Sequence, residues 1–289
     1  MDYAYHLLVV ILLYVALTIS LDLLIGHTGI LSFGHAAFYG IGAYTTAILT
    51  VSAGWHWLPA MIAATLMGAL VAALIGILTL RLGGDYFILA LFGFQLIVIT
   101  VILNWESLTN GPFGIRGIPR PSIGPYEVQS GLGVLLFIAA VTALIVLVHW
   151  RFVSAPMKSK LHAIRHDETV AMALGIDVVR TKVVVFALAG GFAGLTGSLV
   201  AFYLRFIDVN SFTLSTMILL WAMVFIGGTR SILGAIVGPV ILVLFPEIFR
   251  FVGEQRWDVP NIQQALYGLL LVLLMLFRPE GVAGKRRHA

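Results

Sequence analysis

The sequence predicts an all-α, polytopic helical membrane protein, and three observations carry that prediction. Of 289 residues, 60% are hydrophobic and only 10% are charged, against about a quarter charged in ordinary soluble domains. The apolar runs are continuous and approach the ~20 residues that a helix needs to cross hydrocarbon. They also lack the alternation of apolar and polar residues over ~10-residue segments that marks a membrane β-barrel. Inside a bilayer only helices or closed barrels satisfy the backbone, so about nine transmembrane or partly re-entrant helices are expected.

In order, the apolar segments are Tyr5–Leu24, Phe33–Val51, Leu58–Leu80, Tyr86–Leu103, Leu132–His149, Val183–Leu204, Leu214–Ile226, Ile232–Phe251 and Ile262–Phe277. The N-terminus, MDYAYHLLVV, holds an acid and no Lys or Arg before its apolar run, so Tyr5–Leu24 reads as a retained span rather than a cleavable leader. The seventh is short, and the Gly227–Ser231 junction behind it is tight. With strict alternation, twelve of the 17 Lys and Arg fall on the side of the 151–182 loop. Arg116, Arg120, Arg205, Arg250 and Arg256 fall on the other. Basic residues gather on the cytoplasmic side, which places the N-terminus outside and the C-terminus inside. That asymmetry also accounts for the net charge of +4 without nucleic acid. There are no cysteines, which excludes disulfides and thiolate metal sites.

Two connections stand out. The outer 104–130 loop is rich in turn signals, among them Asn110-Gly111-Pro112 and Gly117-Ile118-Pro119, and is expected to be folded. The 151–182 loop is the longest hydrophilic stretch. In it Pro156 ends the preceding span, Asp167 is placed to cap a short helix from Glu168 to Leu174, and Gly175 suits the position just past its end. Ala171, Ala173 and Leu174 give this helix a small apolar face. Two turns are not stable alone, so the segment must pack, either on its own membrane ends or on a partner. The residues leave those two open.

Small residues at spacing four, namely Gly190–Gly194, Gly234–Gly238 and Gly68, Ala72, Gly76, suit close helix contact in lipid, within the chain or between subunits. The stretch Gly26–Tyr44, GHTGILSFGHAAFYGIGAY, has too many glycines for a regular helix through Gly26–Gly34. A broken helix is expected, and such breaks form substrate sites in many transporters. Ser32, Gly34, His35 and Phe38 are therefore candidates for a path or gate. The structural alternative has His35 bonding a nearby carbonyl to lock the bend. Asp22 and His27 suggest a proton relay with His35, or else an Asp22 near the cytoplasmic interface, where it costs little. No metalloprotease, nucleophile-elbow or phosphate-loop motif occurs, so the chain is read as a transport subunit without catalytic, metal or cofactor residues. ATP, if used, must bind elsewhere.

Five stretches carry a family resemblance: GHTGILSFGHAAFYGIGAY, LNWESLTNGPFGIRGIPRP at Leu103–Pro121, AIRHDETVAMALGID at Ala163–Asp177, FALAGGFAGLTGSL at Phe186–Leu199 and LFRPEG at Leu276–Gly281. Together they resemble the permease subunits of branched-chain amino-acid ATP-binding cassette importers, the M-type of two paralogues, over nearly the whole chain. The resemblance implies one integral membrane permease domain over 1–289 in the bacterial inner membrane. It implies an H-type permease partner, a periplasmic binding protein, and two ATPase subunits that hold ATP and magnesium. It implies leucine, isoleucine or valine as substrate, with urea, short amides or other small organic acids as alternatives. An ion-coupled carrier is the reading from a different class, and an intramembrane enzyme a third. The resemblance also tips the 151–182 loop toward docking. Its coupling element maps onto Glu168, Ala171 and Gly175, with Arg165, Asp167 and Leu174 alongside. Asp22 and His27 depart from the family pattern, where an uncharged polar residue and an aromatic are expected.

Overall fold

The computed structural model describes residues 2–80, 82, 85–123, 126–127, 131–252, 268 and 281–283. Helix α1 (Asp2–Asp22) runs into a π-helical turn, Leu23–Thr28, and the chain then leaves helical geometry until α2 (His35–Ala47), which ends in a second π turn, Ile48–Ser52. Helices α3 (Trp57–Thr79) and α4 (Asp85–Asn104) follow, then a single turn α5 (Glu106–Thr109) that opens the 104–130 loop. Beyond it come α6 (Gly131–Phe152), α7 (Ala155–His166), α8 (Glu168–Ala173), α9 (Val178–Leu204), α10 (Leu214–Gly227) and α11 (Ile232–Val252). Among the described residues, five helices are long and apolar enough to cross a membrane: α1 with its π turn, α3, α4, α6 and α9. Helix α10, at 14 residues, is shorter than a span needs. The ninth expected segment, Ile262–Phe277, lies outside the described residues except for Gly268, as do Arg256 and most of LFRPEG.

Helix α9 is the centre of the bundle. It packs against α1, α2 and α3, and most of it is buried. Four of its residues are glycines (190, 191, 194 and 197), each worth about 1 kcal/mol less helix propensity than Ala. The return is backbone contact. A β-carbon on Gly190 would lie 2.2 Å from the Ala72 β-carbon, and one on Gly194 would lie 2.6 Å from the Ala64 carbonyl oxygen. On the other side Gly42 of α2 meets the Gly194 backbone just as closely. In lipid, where apolar burial gives little drive between helices, such close packing holds a bundle together. The small-residue rows anticipated from sequence thus join helices of the same chain: 68, 72 and 76 face α9, while Gly234 and Gly238 pack on the end of α10. In contrast, α3, α4 and α6 leave long rows of large apolar side chains exposed.

The described part of the 104–130 loop through residue 123 is folded, as its turn signals predict. Asn110 and Gly111 take positive φ, and Ile115–Arg116 pairs antiparallel with Phe206–Ile207 beyond α9. Arg205, the left-handed cap of α9, donates through Nε to the Ile118 carbonyl at 3.3 Å. One helix escaped the sequence reading. Pro156 does not simply stop a span; it sits in the first turn of α7, with Ser154 at the N-cap, positions where proline is pre-organised for a helix.

These contacts set an expectation for detergent-purified protein. Gly194→Val should lower the thermal midpoint by the equivalent of at least about 1–3 kcal/mol, the usual cost of overpacking. Gly93→Ala on α4, whose β-carbon meets nothing within 4 Å, should leave it unchanged or raise it. Equal midpoints for wild type and Gly194→Val in thermal scanning would refute the packing account.

Candidate functional site

The bend between α1 and α2 is where the backbone departs most from helical bonding, so its polar groups must find partners elsewhere. Gly29 takes φ 76° and caps the π turn through its N–H to Leu24 O, and Ile30 N–H also reaches Leu24 O at 3.2 Å. The Ser32 carbonyl accepts from Trp221 Nε1 of α10 at 3.2 Å. The carbonyls of Ile25 and Gly26 accept from the Arg165 guanidinium of α7, the former at 3.3 Å. The broken backbone is therefore satisfied by side chains from two other elements, as irregular backbone at membrane depth requires.

His35 opens α2 and is fully buried. Its Nε2 lies 2.7 Å from Ser20 Oγ, which is 2.8 Å from the Ala189 carbonyl oxygen. A hydroxyl has one proton, and the carbonyl can only accept, so Ser20 donates to Ala189 and His35 Nε2–H donates to Ser20. The bend is thus locked to α1 and α9 through a hydroxyl relay rather than through a carbonyl beside His35. Phe38 meets its ring edge-on at 6.2 Å. Ser32 and Phe38 are fully buried, and Phe38 stacks at 5.4 Å on Phe94. A β-carbon on Gly34 would lie 3.2 Å from the Leu91 carbonyl oxygen.

Asp22 is enclosed by protein rather than open to solvent. It is 2% exposed, and its Oδ1 accepts from the Arg230 backbone N–H at 2.9 Å. The tight 227–231 junction, with Gly228 and Arg230 at positive φ, folds over the end of α1 to deliver that N–H. Gly26 makes room for it, since a β-carbon there would lie 2.1 Å from Asp22 Oδ1. Residues 282 and 283 hydrogen-bond to the last carbonyls of α10 beside this junction. Asp22 and His27 approach to 3.8 Å, whereas the hydrogen bonds of His35 go to Ser20, so no unbroken relay joins the three.

The 151–182 loop forms a helical bracket. Asp167 Oδ1 accepts from the N–H groups of Thr169 (2.7 Å) and Val170 (3.2 Å), the N-cap expected from sequence. At the other end Gly175, at φ 78°, donates to Met172 O while Ile176 N–H donates to Ala171 O, the paired bonds of a Schellman motif. Ala171 is buried among Ile164 and Val178, with Ala163 and Ile176 at the edge. Glu168 pairs with Lys182 of α9. The face that sequence assigned to Ala171, Ala173 and Leu174 divides: Ala171 packs inward on α7 and α9, while Leu174 is 71% exposed beside exposed Val170 and Met172. A short helix seated by Ala171 and leaving Val170, Met172 and Leu174 bare around the rest of its surface is both anchored and available. Arg165 brings the two candidate groups together, because it leaves this bracket to bind the Gly26 bend. Nothing in the residue pattern signalled that contact, since it joins positions 139 apart.

At the opposite end of α1, some 30 Å away for a 21-residue helix, lies a cavity of about 150 Å³. Val9, Phe137 and Leu199 supply apolar wall, and His6, Arg120 and Tyr203 supply polar atoms. His6 Nδ1 and Tyr203 OH are hydrogen-bonded across it.

With this geometry in view, comparison with known proteins is decisive. The family model described as branched-chain amino acid transport system / permease component matches residues 3–276. The chain belongs to that permease family. It is 31% identical to the high-affinity branched-chain amino acid transport system permease protein LivM of Salmonella typhimurium, over 94% of this chain and 68% of that protein. The probable LivM permease of Methanocaldococcus jannaschii is 24% identical over 93% of this chain and 90% of its own length. The Salmonella typhimurium LivH permease is 25% identical over 94% and 91%. No solved structure gives a significant match.

The cap at Asp167 has a definite pH sense. The N–H groups of Val170 and Thr169 hold its carboxyl below its ordinary range. A depressed folded value means the cap acts fully above about 3.9 and is lost as pH falls through the depressed value. Hydrogen exchange, corrected for intrinsic rate, should show Thr169 and Val170 losing protection in Asp167→Ala but largely keeping it in Asp167→Asn, since Asn also caps. Wild-type protection should fall only at the acid end of the range. Equal protection in all three proteins would discard the cap.

Proposed function

We propose that this chain is a transmembrane permease subunit of an ATP-binding cassette importer of the bacterial inner membrane. It moves branched-chain amino acids delivered by a periplasmic binding protein. It pairs with an H-type permease, and its energy comes from two cytoplasmic ATPase subunits that bind ATP and magnesium. The chain crosses or partly crosses the membrane about nine times, N-terminus out and C-terminus in, so that the α7–α8 bracket faces the ATPases. The observation that carries the coupling is α8 itself. It is capped at both ends, seated by Ala171 and tied to α9 by Glu168, and it leaves Val170, Met172 and Leu174 bare.

From there the path of force is short. Motion of α8 reaches Arg165 through α7, and Arg165 holds the Ile25 and Gly26 carbonyls at the bend that leads to Ser32, Gly34, His35 and Phe38. At the other end, the cavity beside Arg120 and Tyr203 combines an apolar wall with polar atoms, which suits a small amphipathic solute. Such a cavity also accommodates urea, short amides or small organic acids. Binding measurements on the cognate periplasmic protein separate these substrates from leucine, isoleucine and valine.

Met172→Asp and Leu174→Asp alter exposed positions, so chain insertion should stay at wild-type level. Substrate uptake by the assembled transporter should fall at least about tenfold, equivalent to ~1.4 kcal/mol of lost coupling, with ATP hydrolysis no longer linked to it. Wild-type uptake in both variants would sink the assignment of α8. Failure of any ATPase or second permease to co-purify, with uptake collapsing with an ion gradient instead, would favour the carrier reading.

A further inference from the structure

The cluster of Asp22, His27 and His149 is not used by the coupling path. Asp22 ends α1, His27 lies in the π turn that follows, and His149 is in the last turn of α6. One ligand atom from each lies within 4.8 Å of the others. His27 Nε2 and Asp22 Oδ2 are 3.8 Å apart, too far for a hydrogen bond. The His27 and His149 rings stand 5.6 Å apart at 58°. Asp22 and His149 are each 2% exposed, and His149 Nδ1 is a buried nitrogen without a hydrogen-bond partner. A buried imidazole nitrogen left unpaired costs free energy, and here it faces no protein group that relieves it.

We propose that these three residues bind a divalent transition-metal ion of the zinc class. Two ligands at ~2.1 Å from a tetrahedral ion lie ~3.4 Å apart, so the observed spacings need only small side-chain shifts to close. Two imidazoles and one carboxylate form a three-ligand set with a fourth position left for water. The carboxylate is already oriented as such a ligand needs: the Arg230 N–H holds Oδ1 and leaves Oδ2 toward His27, an outer-shell contact of the kind that fixes metal ligands. The donor set also selects the ion. A single carboxylate with two nitrogens suits Zn²⁺, Co²⁺ or Ni²⁺ and not Mg²⁺ or Ca²⁺, which require several oxygens. When bound, the ion joins the end of α6 to the end of α1, beside the 227–231 junction that folds over α1. It is a staple at the foot of the bend, independent of the substrate carried.

The test uses the full chain purified without a polyhistidine tag, with Co²⁺ as probe. One Co²⁺ should bind per chain with the visible absorption of a four-coordinate ion, and Zn²⁺ should displace it. His149→Ala and His27→Phe should each weaken binding at least about tenfold, since even outer-shell losses cost 10–100-fold. A control pair, His162→Ala with His166→Ala, removes the two adjacent histidines of α7 and should change nothing. X-ray absorption on the Zn²⁺-loaded wild type needs no variant and should show two imidazoles. Absence of saturable binding, binding abolished by the control pair, or a coordination shell without imidazole would each overturn the proposal.

Discussion

The close approach of α9 to α3 and α2 is the constraint from which the rest follows. Lipid offers helices no hydrophobic reward for meeting one another, so association depends on how near two backbones can come. The glycines of α9 permit that approach on two faces at once, and the accumulated propensity loss, on the order of 4 kcal/mol, is the cost. With α9 fixed, Ala189 is positioned to accept from Ser20, Ser20 holds His35, and His35 sets where α2 begins. The irregular bend is thus held by a chain of contacts that starts at a glycine-rich helix face.

The bend and the α7–α8 bracket share one side chain. Arg165 binds carbonyls that the π turn has released from helical bonding, and a guanidinium can satisfy two at once because its donors fan out in a plane. A regular helix through Gly26 would offer no such acceptors. The irregularity at 23–34 and the placement of α7 are therefore parts of one arrangement: neither the bare carbonyls nor the inward arginine is tolerable alone at that depth.

Much of this was legible in the residues. The apolar runs located the long helices because a span has a fixed length. Asp167 and Gly175 located α8 because caps are local chemistry, read from a few neighbouring residues. The break at 26–34 was legible because glycines accumulate there. What was not legible depends on contacts between distant positions. Burial of Asp22 needs the Arg230 N–H, supplied from more than 200 residues away. His149 looks like an ordinary residue at a span end until α6 lies against α1. Helix α7 is hidden for a different reason: Pro156 reads as a stop, although the same ring geometry serves a first turn.

Helix α9 has one more consequence, which is its length. Its 27 residues extend about 40 Å at 1.5 Å per residue, while hydrocarbon is about 30 Å thick. An upright rod of that size overshoots the bilayer by nearly two turns; otherwise it must lean. Its second turn carries Lys182, bonded to Glu168, and its last turn ends at Arg205, bonded to the 104–130 loop. A tilt of this single rigid body would therefore register on both surfaces of the membrane at once, making α9 a lever arm whose fulcrum is the glycine contact at its middle.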